Sequence, residues 1–237
     1  MSDKQLYRQP VVLNSETHKA IKVAPVKDYG FAAEMNSSIV VCQEFLEAAK
    51  YYPIVFSNTK DVITPVALLG ISSNLSVDSV GTWQEDTYIP AFIRRYPYIL
   101  AEGLAGDGSL SVCVDSEYAG FDAKDGVRLF TDDGKNTPAL DKAIEFMRTY
   151  HNQFEITKAF VSQIRDLNIF RAVDANISLT GGKKFTIKNL SMIDEQALLK
   201  LSDEQLIKLV RSGALAWIYA HLYSLTNFSK IVTRAGK

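Results

Sequence analysis

The sequence predicts an α+β protein: an N-terminal, mainly antiparallel sheet with one packed helix, leading into a largely helical C-terminal half. Three observations carry this. Short β-rich runs bounded by Pro, Asn and Gly recur between residues 54 and 115, the pattern of strands joined by turns. From Thr137 onward the apolar residues recur instead at helical spacing, behind capping signals. The composition, 47% hydrophobic and 22% charged over 237 residues, supplies a substantial core without metals or disulfides and argues against extended disorder. The formal net charge of -1, from 26 basic and 27 acidic residues scattered along the chain, lacks the basic footprint of a nucleic-acid binder.

Residues 1–36 lack sustained periodicity, with Pro10 and Pro25 flanking short apolar runs, and read as an extended N-terminal arm. Residues 37–237 read as one α+β domain with a sub-boundary near 135. Ser37 or Ser38 is placed to cap a helix from Ile39 to about Tyr51, on which Val40, Val41, Glu44, Phe45 and Ala48 follow helical spacing until Pro53. Ile54–Ser57 and Val66–Ile71 read as core strands, and Leu75-Ser76-Val77 as a further short one. Gly103, Gly106 and Gly108 lack the order of a phosphate loop and precede a strand, which predicts a hairpin turn between Ile99 and Leu110. The acidic residues Asp115, Glu117, Asp122, Asp125, Asp132 and Asp133 lack the closing glutamate of a calcium loop, so solvated turns are expected there.

Thr137-Pro138 opens the helical half as a cap followed by a first-turn proline. Leu140, Ile144, Met147, His151 and Phe154 keep one face, and the spacing then shifts to Ile156, Phe160, Ile164 and Leu167. Two helices or one bent helix are expected across 139–169. Ala175–Leu179 and Phe185–Leu190 around Gly181-Gly182 read as a hairpin. Asp194 caps a short helix through Leu201, and Ser202-Asp203-Glu204-Gln205 begins another that Gly213 ends or kinks. The last helix runs from Ala214 to about Val232 and is apolar nearly all round through Leu225. His221, Ser224, Thr226 and Asn227 interrupt the run of about twenty apolar residues that a membrane span needs. An exposed apolar face there predicts a protein partner or a homo-oligomer contact.

The most constrained stretch is Tyr88-Ile89-Pro90-Ala91-Phe92-Ile93-Arg94-Arg95-Tyr96-Pro97-Tyr98-Ile99-Leu100. Pro90 suits the first turn of a short helix, Ala91 to Arg95, and Tyr96 onward reads as a strand. Adjacent arginines cannot point the same way, so at most one faces inward. Such an arginine stacks on a ring, grips a carboxylate bidentately, or ties loop carbonyls together. Trp83 reads as a core residue or a pocket wall, and His221 as a satisfied core histidine or a pocket group. Trp83, Tyr88, Arg94, Arg95 and His221 are therefore the candidate ligand-binding residues, for a carboxylate-bearing small molecule. No catalytic residue, metal ligand or cofactor is called: the three histidines form no His-x-Asp/Glu pair, and neither a Gly-x-Ser-x-Gly elbow nor a Walker loop is present. Metal ligands gathered from distant segments stay open. Cys42 and Cys113 sit in apolar runs and read as buried free thiols. Met1-Ser2-Asp3-Lys4-Gln5 leads into no apolar signal region, so a cytoplasmic chain is expected, with export by a dedicated system open.

Tyr-Ile-Pro-Ala-Phe-Ile-Arg-Arg-Tyr-Pro-Tyr over residues 88–98, preceded by Gly81-Thr82-Trp83, resembles the hallmark of the bacterial SapC family. Tyr52-Pro53-Ile54-Val55-Phe56, Pro65 to Gly70, Leu129 to Gly134 and Ala220 to Asn227 resemble its other recurring blocks in the expected order, so the likeness runs from about Tyr51 to Asn227. The founding member is associated with a paracrystalline surface layer. The resemblance thus implies a non-catalytic accessory, assembly or binding role linked to the bacterial surface layer or envelope, with no site residue to carry over. The alternative is a ligand binder or enzyme with its pocket around the arginine stretch.

Overall fold

The computed structural model describes residues 6–60, 62–102, 110–178 and 184–236. In its first part lie β1 (Pro10–Val12), β2 (Lys22–Val23), β3 (Ser37–Ile39), α1 (Phe45–Ala48), β4 (Ile54–Thr59), β5 (Val62–Leu68), α2 (Ala91–Arg94), β6 (Tyr98–Glu102), β7 (Leu110–Asp115) and β8 (Val127–Arg128). The second part holds α3 (Pro138–Asp166), β9 (Phe170–Ser178), β10 (Lys184–Ile193), α4 (Glu195–Leu198), α5 (Asp203–Arg211), α6 (Ala214–Ser224) and α7 (Phe228–Ala235). The strands form a five-stranded sheet in the order β3-β5-β4-β10-β9, a three-stranded sheet β1-β7-β6, and a β2-β8 ribbon. Every pairing is antiparallel. The α+β expectation therefore holds, with the β9–β10 hairpin lying among the C-terminal helices.

The β4–β5 hairpin is buried on both faces, and strand alternation sorts its residues. Ile54, Phe56 and Ala67 enter the main core with Phe45, Phe160 and Ile218, whereas Val55, Val66 and Leu68 face a second cluster containing Ile231 of α7. The expected strand at 75–77 reduces to one bridge, Val77 to Trp83. The turn carrying Gly103, Gly106 and Gly108, and that carrying Gly181-Gly182, lie outside the described residues.

The helix expected from Ile39 to Tyr51 is largely replaced. Ser37–Ile39 pair with Leu68–Val66 of β5, so the serines enter a sheet instead of capping a helix. A 3-10 turn at Cys42–Glu44 follows, and the α-helix is confined to Phe45–Ala48. Sheet pairing and the inward turn of Glu44 override a helical apolar pattern here, because Val40 and Val41 are both fully buried and need cover on two sides. Pro90 is the N-cap of α2, in extended geometry at ψ 141, one position earlier than a first-turn proline. The Tyr96–Pro97 bond is cis.

Among the acidic residues read as solvated turns, Asp115 is a correction. It is fully buried, and its carboxylate accepts from the backbone N–H of Arg8 at 3.0 Å and of Gln9 at 2.9 Å, and from the Tyr96 hydroxyl at 3.3 Å. Asp122, Asp125, Asp132 and Asp133 are exposed, as expected. Asp115 thus fastens the chain ahead of β1 to β7, beside the cis peptide.

The helical half keeps its caps. Thr137 accepts from the Leu140 N–H with Pro138 at the first position, Asp194 accepts from the Gln196 and Ala197 N–H groups, and Ser202 with Gln205 forms a reciprocal capping box. α3 is one uninterrupted helix of 29 residues. Its Leu140 packs beside Val114 and Leu129 near the small sheets, and its Tyr150, Phe160 and Ile164 join the main core. Ile156, read as an inward position, is 46% exposed, and Thr157 is buried in its place. Gly213, at φ +78, adopts the left-handed conformation that ends α5 and starts α6. The last helix is broken by a 3-10 turn at Leu225–Asn227, where the Asn227 side chain turns inward to donate to the Ala49 carbonyl behind α1 at 2.7 Å. Among the described residues no helix is long and apolar enough to cross a membrane.

Asp115→Ala is expected to cost about 2 kcal/mol, since it leaves the buried Tyr96 hydroxyl and the partly buried Arg8 and Gln9 N–H groups without their acceptor. Asp115→Asn, which keeps one oxygen, should fall between that variant and the wild type in urea unfolding.

Candidate functional site

The arginine stretch is held from below by a buried carboxylate. Glu44 is 5% exposed, and its Oε2 accepts from the Val41 N–H at 3.0 Å. Its Oε1 accepts from the Ala91 N–H and the Tyr88 hydroxyl, both at 2.7 Å. One side chain thereby satisfies the start of α2 and fixes the tyrosine before it. Burial pushes the Glu44 carboxyl up from its ordinary value, against the opposing pull of the three hydrogen bonds and Arg94. Burial, then the adjacent Glu44, pushes the Tyr88 phenol up, so it remains a donor.

On Tyr88 rests Arg94. Its Nη2 donates to the Tyr88 hydroxyl at 3.1 Å and its Nε to the Ile89 carbonyl at 2.9 Å. The guanidinium carbon stands 5.5 Å from the Tyr88 ring centre and 5.3 Å from that of Phe146 on α3. Nη1 makes no hydrogen bond among the described residues, so one edge of the fork remains for a ligand. Arg95 turns to a different set of rings, with Phe92 at 4.4 Å, Tyr150 at 5.2 Å and Tyr7 at 5.7 Å. The two neighbours diverge, as adjacency requires.

Between this stretch and α3 opens a cleft of about 460 Å³. Arg94, Arg95 and Lys142 line it, and among the described residues no Asp, Glu or His does. Lys142 forms no ion pair among the described residues. The walls are apolar and aromatic, including Tyr29, Tyr98, Phe146 and Met147. Burial raises the phenol pKa of Tyr29, and it raises that of Tyr98 to about 12, so both keep their protons at neutral pH. Tyr29 is set by the Gly81 motif. Its N–H donates to the Gly81 carbonyl at 2.7 Å, and its ring meets the Trp83 indole edge-on at 5.6 Å. Gly81 is at φ +82, a left-handed conformation that strains any residue with a Cβ, and a Cβ there would stand 1.8 Å from the Asp28 carboxylate, which would have to move aside.

Of the five candidate residues, Arg94 and Arg95 line this cleft. Trp83 and Tyr88 stand behind it as supports: Trp83 is 6% exposed and donates through Nε1 to Thr87 Oγ1 at 3.0 Å. His221 lies elsewhere, on α6, with its partners on β4 and β10. The β10–β4 register pairs Leu190 with Ser57 and Ser191 with Phe56, so its continuation would set Ile193 opposite Ile54. The imidazole is inserted there instead. Nε2 accepts from the Ile193 N–H at 3.1 Å and Nδ1 donates to the Ile54 carbonyl at 2.8 Å, a tautomer assigned from these partners. Burial pushes the His221 pKa down to about 4. It is a neutral splice between two strands.

Tyr29, Lys142, Phe146 and the buried Glu44 were not singled out from the sequence. Ala139, Lys142, Ala143, Phe146 and Met147 share one helical face, a signal that was legible but lies beside the face chosen by hydrophobicity. Cys42 and Cys113 are free and buried, and burial raises the Cys42 thiol to about 12, far from a reactive thiolate. Among the described residues no three His, Cys, Asp or Glu side chains are grouped to hold a metal ion.

The fold and cleft define an α+β protein with a cationic recess beside its most aromatic segment. The chain belongs to the SapC family, whose family model matches residues 13–231. The match begins ahead of the blocks recognised from the sequence and takes in the segment that carries Tyr29. No curated protein and no solved structure matches the chain.

His221 and Glu44 make opposite pH contributions. The depressed His221 pKa supplies stability that is full above about pH 6.5 and is lost as pH falls toward 4, roughly 3 kcal/mol in all. The raised Glu44 pKa works the other way: its charged form costs stability as pH rises above the ordinary 4.5. Glu44→Gln removes that offset, so its unfolding free energy should drop more steeply than the wild type's between pH 6.5 and 4. A shallower drop in urea titrations would contradict the assignment.

Proposed function

We propose that the chain is a non-catalytic binding protein of accessory or assembly type, serving the bacterial surface layer or envelope, and that the cleft beside Arg94 holds a carboxylate-bearing ligand with an apolar body. The observation that carries this reading is the lining: Arg94 and Lys142 among aromatic walls, with no Asp, Glu or His among the described lining residues. Arg94 and Lys142 form no ion pair among the described residues, which favours an anion, and the Arg94 fork matches a carboxylate. The aromatic walls suit an apolar or aryl body, and the volume is within the range for a small organic ligand. The lining offers donors and positive charge but no general base, which supports binding over turnover. Family membership supports the accessory role.

An assembly reading has its own support on α6. Tyr219 and Tyr223 lie one turn apart and are 43% and 64% exposed, an aromatic pair of the kind enriched at interfaces. A second copy of the chain is the partner proposed for that face.

In calorimetric titrations 4-hydroxyphenylacetate should bind with a dissociation constant below about 1 mM, and its neutral amide should not. Arg94→Ala should weaken the acid about tenfold or more, and Lys142→Met should weaken it by less. Equal binding of acid and amide, or an unchanged Arg94→Ala, would sink the cleft. The second reading predicts a dimer by light scattering that Tyr219→Ser with Tyr223→Ser dissociates; a wild-type monomer would end it.

A further inference from the structure

A second cavity, of about 430 Å³, lies between the Tyr51-Tyr52 pair and the polar side of α7, and none of its lining residues belongs to the Arg94 cleft. Its charged lining is again of one sign. Lys50, Lys230 and Arg234 enter it, and among the described residues no Asp or Glu does. Arg234 is pinned at the wall by an Nη2 hydrogen bond to the Leu75 carbonyl. Lys230 stands in no ion pair among the described residues, and Lys50 pairs with Glu47, outside the lining, at 2.7 Å. The floor is apolar, made by Leu69, Leu75 and Ile231.

Amphipathic α7 explains why cations and floor meet. Ile231 is buried in the second core cluster, while Lys230 and Arg234, one turn apart, flank it on the open side. The inward turn of Asn227 sets this angle, because it breaks the helix one residue before α7 begins. With Lys50 taken up by Glu47, Lys230 and Arg234 leave two positive charges at the recess. A phosphate monoester carries about two negative charges and three acceptor oxygens, and a pinned guanidinium suits it.

We propose that this cavity is a second anion site, specific for a phosphate group attached to an apolar body, with Lys230 and Arg234 gripping the phosphate and Leu69, Leu75 and Ile231 receiving the apolar part. A free phosphate ester and a lipid phosphate headgroup share that chemistry. The site is independent of the carboxylate reading: it uses other residues and survives if that cleft binds nothing.

Phenyl phosphate is the first probe, titrated calorimetrically into the full chain at low ionic strength. Saturable one-site binding is expected, with inorganic phosphate weaker because it leaves the floor empty. Lys230→Gln and Arg234→Gln should each weaken phenyl phosphate by about tenfold, whereas Arg94→Ala leaves it unchanged. Both side chains are exposed, and Lys230 makes no hydrogen bond among the described residues, so Lys230→Gln in particular should melt as the wild type does. Cosedimentation with phosphatidylcholine vesicles, with and without phosphatidate, separates the sources. Phosphatidate-dependent binding lost in Lys230→Gln assigns a headgroup, and binding of phenyl phosphate alone assigns a soluble ester. Absence of saturable binding to either, or binding unaffected in both variants, overturns the proposal.

Discussion

The buried carboxylate of Glu44 is the constraint around which this structure is arranged. An ionised carboxylate withdrawn from water is tolerable only when its oxygens are occupied, and Glu44 is occupied by two backbone N–H groups and a phenol from segments 41–44 and 88–91. The turn that brings Glu44 inward displaces the helix its neighbourhood would otherwise form. The same contact fixes the start of α2, and with it the direction in which Arg94 leaves the chain. A second tyrosine supports the arrangement, since Tyr52 donates to the Tyr88 carbonyl at 2.7 Å.

Elsewhere too, polar side chains carry the joints between elements. Asp115 ties the segment ahead of β1 to the β6–β7 hairpin, Asn227 ties the break in the last helix to α1, and His221 replaces a strand ladder contact between β4 and β10. Next to His221, the Ser224 hydroxyl accepts from the Ile54 N–H at 2.8 Å, so α6 satisfies both backbone groups of the first residue of β4. Each is a buried group with a fixed set of partners, and each makes at least one bond to a residue more than a hundred positions away in sequence. That is why the small sheets, the large sheet and the helices are held in one arrangement rather than merely packed.

The positive cleft follows from this framework. α3 is a long helix capped by Thr137 whose Phe146 and Met147 face the arginine stretch, with Lys142 on the same side one turn earlier. The Gly81 corner presents Tyr29 from the opposite wall, and its left-handed φ of +82 favours glycine there. These features give a physical content to the blocks by which the family is recognised. Gly81-Thr82-Trp83 positions a ring, the 88–98 stretch supplies the guanidinium, and the Ala220–Asn227 block supplies two of the joints.

Local chemistry was legible in the sequence. The caps at Thr137, Asp194 and Ser202, the β4–β5 hairpin and the short helix at Ala91 depend on residues within a few positions of one another, and periodicity and capping report such relations directly. The divergence of Arg94 and Arg95 was also fixed by adjacency alone. Tertiary structure decided the rest. The fate of residues 37–51, the burial of Asp115, the removal of His221 from the arginine stretch and the choice of Lys142 and Tyr29 as cleft walls all depend on which distant donor meets which acceptor. A helical apolar pattern and a doubly covered strand look alike until their neighbours arrive, and an aspartate in an acidic run looks solvated until the N–H groups of Arg8 and Gln9 reach it. Hydrophobic spacing is a property of the chain, whereas the satisfaction of buried charge belongs to the folded whole.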